Sequence, residues 1–407
     1  MSYFEKTQVI FNQANESALG TLEVSELDFI FQGDFKYGTN TQLWSTGVTS
    51  GAGATVDTSS GRLRIQSGSD AAGYAYITSR RIMRYRAGQG TLTRFTPLFT
   101  AGIANNIQIW GIGSLSANLP YDGYFFGYNG TSFGLVHYIA GTPTWTAQAS
   151  WNGDTMNGSG GSGITWDPTK GTPVMIKYPY LGYGNIFFYV QNPTTGAWIL
   201  VHTIRYANTL ATIQLNNPGL QVMGFTLNSG NTTNQTMYLG SVGVAISGTR
   251  HYNNPRWATD SNKSGITTEN CLLNLKNCTS YNGNTNRGMV RFNSVSFGIT
   301  TNTLCIVRLK IGVTIGGSPS YATISGTTAD QGATITSGNS ICSVDVAGTT
   351  VTTGTFLFSA SCGQTGSQTV DLTSFDLFLA PGEIATWSAF GSASTAVALS
   401  VNWSEDV

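Results

Sequence analysis

The residue types best suited to chemistry gather around one stretch, Trp151 to Lys170, WNGDTMNGSGGSGITWDPTK. Trp and Tyr rings stack on the apolar faces of sugars, while amides and carboxylates bind the hydroxyls. Trp151, Asn152, Asp154 and Trp166 supply that set, with Tyr128 upstream and Tyr183 downstream. These six are the candidate glycan-binding residues, and core or inter-subunit packing is the plainer role for the rings. Hydrolysis of a glycan would need two carboxyl groups about 5–9.5 Å apart across a groove. The acids on offer are Asp122, Asp154 and Asp167, each in a turn context (Asp-Gly, Asn-Gly-Asp, Asp-Pro) that accounts for it without catalysis. Asn152, Asp154 and Asn157 could offer oxygens to calcium, but turn hydrogen bonding uses the same atoms, so no metal and no cofactor is expected.

Other reactive groups are sparse. The histidines are His137, His202 and His251, the first two inside strand-like runs. No GxSxG elbow, HExxH pair or Walker loop occurs, and the GSGGSG of Gly158 to Gly163 lacks a following Lys-Ser/Thr. No enzymatic activity is expected. A basic cluster, Arg80, Arg81, Arg84, Arg86 and Arg94, reads either as a groove for an anionic ligand or, more plainly, as outward arginines on strands.

The elements that must carry these residues are strands. Val174 to Tyr180, Asn185 to Val190 and Trp198 to Ile204 are apolar and aromatic, separated by LGYG and NPTTG. That pattern predicts an antiparallel meander. Leu63 and Ile65 alternate with Arg62 and Arg64, and Tyr74, Tyr76 and Thr78 repeat the alternation. Asn106 to Gly113, a hairpin around Asn129-Gly130, and the runs Gln221 to Leu227 and Met237 to Ile246 complete the set. Roughly ten strands without helical periodicity imply an all-β fold built on a jelly-roll or concanavalin-like sandwich. The expected organisation is an N-terminal arm (1–30), the sandwich (31–250), a linker (251–265) and a second, smaller β-sandwich domain (266–407).

Composition narrows the function classes. Of 407 residues only 10% are charged, and the 20 basic and 20 acidic side chains cancel. An average soluble domain has roughly 25% charged residues. No electrostatic footprint for nucleic acid or an anionic membrane surface is present. No apolar run approaches the roughly 18 residues of a spanning helix, and the acidic first thirty residues do not resemble a secretory signal. The five cysteines lie in the last third without CxxC spacing, which suits free buried thiols, with a Cys342 to Cys362 disulfide as the open alternative.

RYRAGQGTLTRFTPLF followed by YDGYFFGYNGTSFGLV, the Trp151 to Lys170 stretch, YPYLGYGNIFFYV, VHTIRYANTL and LNNPGL together resemble a known group. It comprises large β-rich virion structural proteins of tailed bacteriophages and large DNA viruses. TLCIVRLKIG and ALSVNWSE in the tail and SALGTLEVSEL in the arm fit as well. The resemblance implies an exterior virion component, as capsid decoration, minor capsid protein, collar or fibre, made in the host cytoplasm. It would act through assembly contacts with other virion proteins and with copies of itself, a trimer for a fibre-like part. The alternatives are a receptor-recognition module for a host-surface glycan and a tailspike-like glycan hydrolase.

Overall fold

A computed structural model describes residues 27–407 apart from 50–52, 249–253, 302, 325–326, 331–332, 337–339 and 392, with backbone alone for the remainder of 325–339. The chain divides into two compact units at His251/Tyr252. Both are all-β. Among the described residues the helical segments are single turns, Gln148–Ser150 and Thr373–Phe375, and no helix is long and apolar enough to cross a membrane.

The first unit contains β1 (Leu27–Asp34), β2 (Trp44–Val48), β3 (Thr55–Ser59), β4 (Arg62–Gln66), β5 (Tyr74–Ser79), β6 (Thr91–Leu98), β7 (Asn106–Ser116) and β8 (Leu119–Asn129). There follow β9 (Ser132–Ile139), β10 (Thr142–Ala147), β11 (Val174–Tyr178), β12 (Ile186–Gln191), β13 (Trp198–Ile204), β14 (Gln221–Asn228) and β15 (Thr236–Ser247). One sheet runs β13-β12-β11-β6-β15-β4-β3, with β1 added along β15. The other runs β10-β9-β8-β7-β14-β5-β2. Late strands therefore insert between early ones, the hallmark of jelly-roll wiring rather than a simple meander.

The two sheets close over one core. Trp110, Tyr124 and Phe126 of the seven-stranded sheet meet Ile176, Phe188 and Val244 of the eight-stranded one, all of them buried. Close packing sets backbone requirements. A Cβ at Gly224 would sit 2.0 Å from the Trp110 ring, so only glycine lets β14 lie beside that indole. The hairpin between β7 and β8 turns through Ala117 (φ 49°) and Asn118 (φ 65°), positive at both central residues as the right-handed strand twist requires.

The second unit is a separate sandwich. Arg256–Ile266, Thr395–Asp406, Met289–Ile299, Ser367–Asp371 and Phe378–Leu379 form one sheet. Ala322–Thr323, Cys342–Asp345, Asn270–Asn277, Ile384–Gly391, Cys305–Ile315 and Val351–Cys362 form the other. Trp387, Trp403, Leu273 and Val295 are buried in its core.

Three details differ from the sequence-based expectation. Leu27 to Ile30, assigned to the arm, already belong to β1, while residues 1–26 lie outside the described part. Most of the expected linker is strand: Arg256–Ile266 pairs along Thr395–Asp406. That strand exposes or half-exposes every side chain but Ile266, so its composition imitates a linker. Finally, the register sets Cys362 opposite Cys305 rather than Cys342, and all five thiols are free.

Candidate functional site

The residues expected to grip a sugar are mostly structural. Trp151, Trp166 and Tyr128 are 4%, 8% and 8% exposed. They meet edge-on with Phe126 and Phe133: Trp166 lies 5.8 Å from Phe126 and 5.0 Å from Phe133, and Tyr128 lies 4.9 Å from Phe133. Rings this deeply buried offer no open face to a ligand, so their assignment to glycan binding is corrected to core packing. Asn152 splints the chain to β13, its Nδ2 donating to the Thr203 carbonyl and its Oδ1 accepting from the Thr203 N–H, both at 2.8 Å. Asp154 accepts the N–H groups of Met156 at 2.8 Å and Ser162 at 2.6 Å. It thereby ties down the glycine-rich loop, and although burial opposes it, these bonds hold its carboxyl below the usual range. Tyr183 is 45% exposed and donates to the Ala211 carbonyl; it stands in the β11–β12 turn and is not part of the ring cluster.

The other candidates are also occupied locally. Asp167 accepts from the Thr169 N–H and hydroxyl, Asp122 is buried and accepts the Ala140 N–H, and Asn157 accepts from Thr155 and Ser159. His137 is buried, with Nε2 2.7 Å from the Gln214 carbonyl. His202 receives the Asn152 N–H on Nδ1. Desolvation pushes both imidazoles down to about 4, so each is neutral at pH 7. The acids thus act as turn caps and the imidazoles as buried hydrogen-bonding groups.

A different place has the geometry of a binding site. The face of the eight-stranded sheet turned away from the core carries a cleft of about 800 Å³. Strand alternation builds its floor. Gly243 and Arg94 lie side by side on β15 and β6, and Trp198 reaches in from β13. Gly243 has no side chain, and the Phe29 ring of β1 fills the vacant space, 3.1 Å from where a Cβ would stand. The chain leaving β1 then supplies a rim with Tyr37, Thr39 and Asn40.

The cleft combines open rings with polar groups that have no partner. Tyr37 is 100% exposed and Phe29 40%. The Arg94 guanidinium lies over the Trp198 ring at 5.8 Å. Arg94 Nε and Thr39 Oγ1 are both buried without a hydrogen-bond partner. A buried polar atom left unpaired costs about 1–3 kcal/mol, and both atoms lie below the accessible surface, so a ligand would meet these two side chains through their other atoms. Asn40 turns its Oδ1 to the Gln42 N–H, which leaves its amide N–H groups for the cleft. Among the described lining residues Asp34 is the one carboxylate, and its Oδ1 accepts the Lys36 N–H.

Sequence reasoning placed Arg94 in the basic cluster but did not connect it to Trp198 or Tyr37. The cluster itself is not one groove. Arg80 and Arg81 donate to the Gln42 and Ile30 carbonyls, and Arg94 is the member that lines the cleft.

No family model matches the chain, and no curated protein matches it. Solved structures align with about half of it. An endo-1,3-beta-glucanase from Streptomyces sioyaensis aligns at 13% identity and TM-score 0.38, covering 55% of this chain and 97% of the glucanase. Lectin II from Ulex europaeus aligns at 11% identity and TM-score 0.34, covering 54% and 100%. A Bauhinia forficata lectin in complex with GalNAc aligns at 11% and 0.31, covering 54% and 99%.

Proposed function

We propose that this protein is a carbohydrate-binding module whose site is the Arg94–Trp198 cleft. The observation that carries the reading is the gathering of aromatic rings, an arginine and short polar side chains around one cavity of saccharide size. Pockets of roughly 300–1,000 Å³ take ligands of a few rings. Trp198, Tyr37 and Phe29 would stack on sugar faces, while Thr39, Asn40 and Arg94 would bind ring and hydroxyl oxygens. The reading is binding without hydrolysis, because the two-carboxyl mechanism of most glycosidases needs a second acid facing Asp34, and the described lining residues supply none. The virion role implied by the sequence resemblance remains a proposal resting on that resemblance alone. A receptor-recognition module on a particle exterior is the form in which the two readings agree.

A glycan array probed with the full chain, followed by calorimetry on the best ligands, tests the proposal. Binding that weakens tenfold or more in Trp198→Ala and Tyr37→Ala, but not in Tyr183→Ala, is the expected result. An array with no hits at millimolar sugar, or hits indifferent to both substitutions, removes it.

A further inference from the structure

We infer that the cleft selects an acidic saccharide, with Arg94 taking the sugar's anionic group; this rests on the carbohydrate reading above. Three other half-buried arginines face carboxylates. Arg64 holds Asp57 through Nε at 2.7 Å, Arg308 holds Glu269 at 3.1 Å, and Arg291 stands 3.9 Å from Asp376. Arg94 has no such partner among the described residues, and its Nε meets no hydrogen-bond acceptor there. Among the described residues it therefore stands on the cleft as a cation without a paired carboxylate.

The surroundings fit an anion rather than a hydroxyl. Asp34, the carboxylate on the same cleft, accepts the Lys36 N–H and forms no ion pair with Arg94 among the described residues. The Trp198 ring centroid lies 5.8 Å from the guanidinium carbon, within reach of the cation–π attraction that draws the two groups together. The planar guanidinium fork matches a carboxylate or sulfate with two parallel hydrogen bonds. The neighbouring rings would stack on the sugar that bears the group. A uronate and a sulfated sugar share this chemistry, and the test separates them.

Calorimetry on the full chain would use oligogalacturonate and hyaluronan tetrasaccharides, each beside its carboxyl-reduced form, and a sulfated tetrasaccharide of the heparan type. Carboxyl reduction keeps the sugar skeleton and removes only the charge. The expected result is at least tenfold weaker binding of the reduced form of the uronate that binds. Arg94→Met, at unchanged Tm, should erase that preference, and Arg94→Lys should retain part of it. Preference for the sulfated probe alone identifies sulfate as the group and supports the inference equally. Equal affinity for native and reduced forms, or a preference that survives in Arg94→Met, overturns acidic selection and leaves carbohydrate binding standing. Absence of binding by every saccharide, neutral ones included, removes both.

Discussion

Arg94 and Trp198 approach each other across two intervening strands. They sit on β6 and β13, with β11 and β12 between them. At about 4.8 Å per strand their backbones are roughly 14 Å apart. The guanidinium nonetheless lies 5.8 Å from the indole, so both side chains must lie along the sheet toward each other. The pair therefore covers part of the sheet's outer face.

This geometry separates two tryptophan substitutions. Trp198 is half-buried on an outer face, so Trp198→Ala should abolish saccharide binding while costing less than about 1.5 kcal/mol of stability. Trp151→Ala removes a ring packed in the core and should cost about 3–5 kcal/mol. Urea melts of both variants, alongside calorimetry, check the contrast. A stable Trp151→Ala variant that has lost binding would return the site to the Trp151 cluster.

Acid should destabilise the protein in a window set by two imidazoles. His137 and His202 are buried and neutral, with values near 4 in the folded chain against about 6.5 unfolded. Below pH 6.5 the unfolded chain takes up protons that the folded chain refuses, so stability is complete above 6.5 and falls as pH drops toward 4. At about 1.36 kcal/mol per pH unit, each group contributes on the order of 3 kcal/mol over the window. Protonating His202 also puts a proton on Nδ1, where the Asn152 N–H now donates. Thermal melts from pH 7.5 to 4 should show Tm falling mainly below 6.5, with a shallower fall in His137→Gln and His202→Gln. A flat profile across that range would contradict the burial of these rings.

The glycine-rich loop should depend on one carboxylate. Asp154→Ala leaves the N–H groups of Met156 and Ser162 without their acceptor, a cost of about 1–3 kcal/mol for each group that stays buried. Asp154→Asn should not restore stability, because one amide end would point a donor at a donor. Gly160 packs against the same carboxylate, a Cβ there falling 2.0 Å from Oδ1, so Gly160→Ala should produce a similar loss. Hydrogen exchange at Met156 and Ser162 reports each case. Unchanged protection in Asp154→Ala would show that the loop holds itself.

Much of the fold was legible because alternation is local. β4 reads RLRIQ with its leucine and isoleucine buried and its flanking residues half-exposed. β7 and β8 are buried on both faces over most of their length, which is why they read as near-continuous apolar runs. The Arg256–Ile266 strand escaped because its alternation runs between exposed and half-exposed residues. The candidate site was misplaced for a related reason. Trp151 and Trp166 sit among Asn, Gly and Asp, a composition that signals an exposed loop. Asn152 and Asp154 satisfy that loop's backbone internally, which lets the indoles turn inward. Nothing local announces the cleft. Phe29, Arg94, Trp198 and Gly243 come from four strands far apart in the chain, and only sheet order puts them on one face.

Thiol reactivity offers a test of the second sandwich. Cys271, Cys305, Cys342 and Cys362 are buried, and Cys278 is partly exposed with its Sγ 3.4 Å from the Ser343 hydroxyl. Burial pushes the Cys271 and Cys305 thiols up to about 11 and raises Cys342 further still. At pH 8 a thiol with a value near 11 is ionised to only about 0.1%, against roughly a quarter for an unperturbed one. A thiol-specific disulfide reagent should therefore label Cys278 quickly in the native protein and the other four only on unfolding in urea. If partial unfolding is combined with oxidised glutathione, the bridge that forms should join Cys305 to Cys362, which the strand register sets face to face. Peptide mapping without reductant reads the outcome. A Cys342–Cys362 peptide instead, or several fast-reacting thiols in the native state, would contradict the pairing of the Cys305–Ile315 and Val351–Cys362 strands.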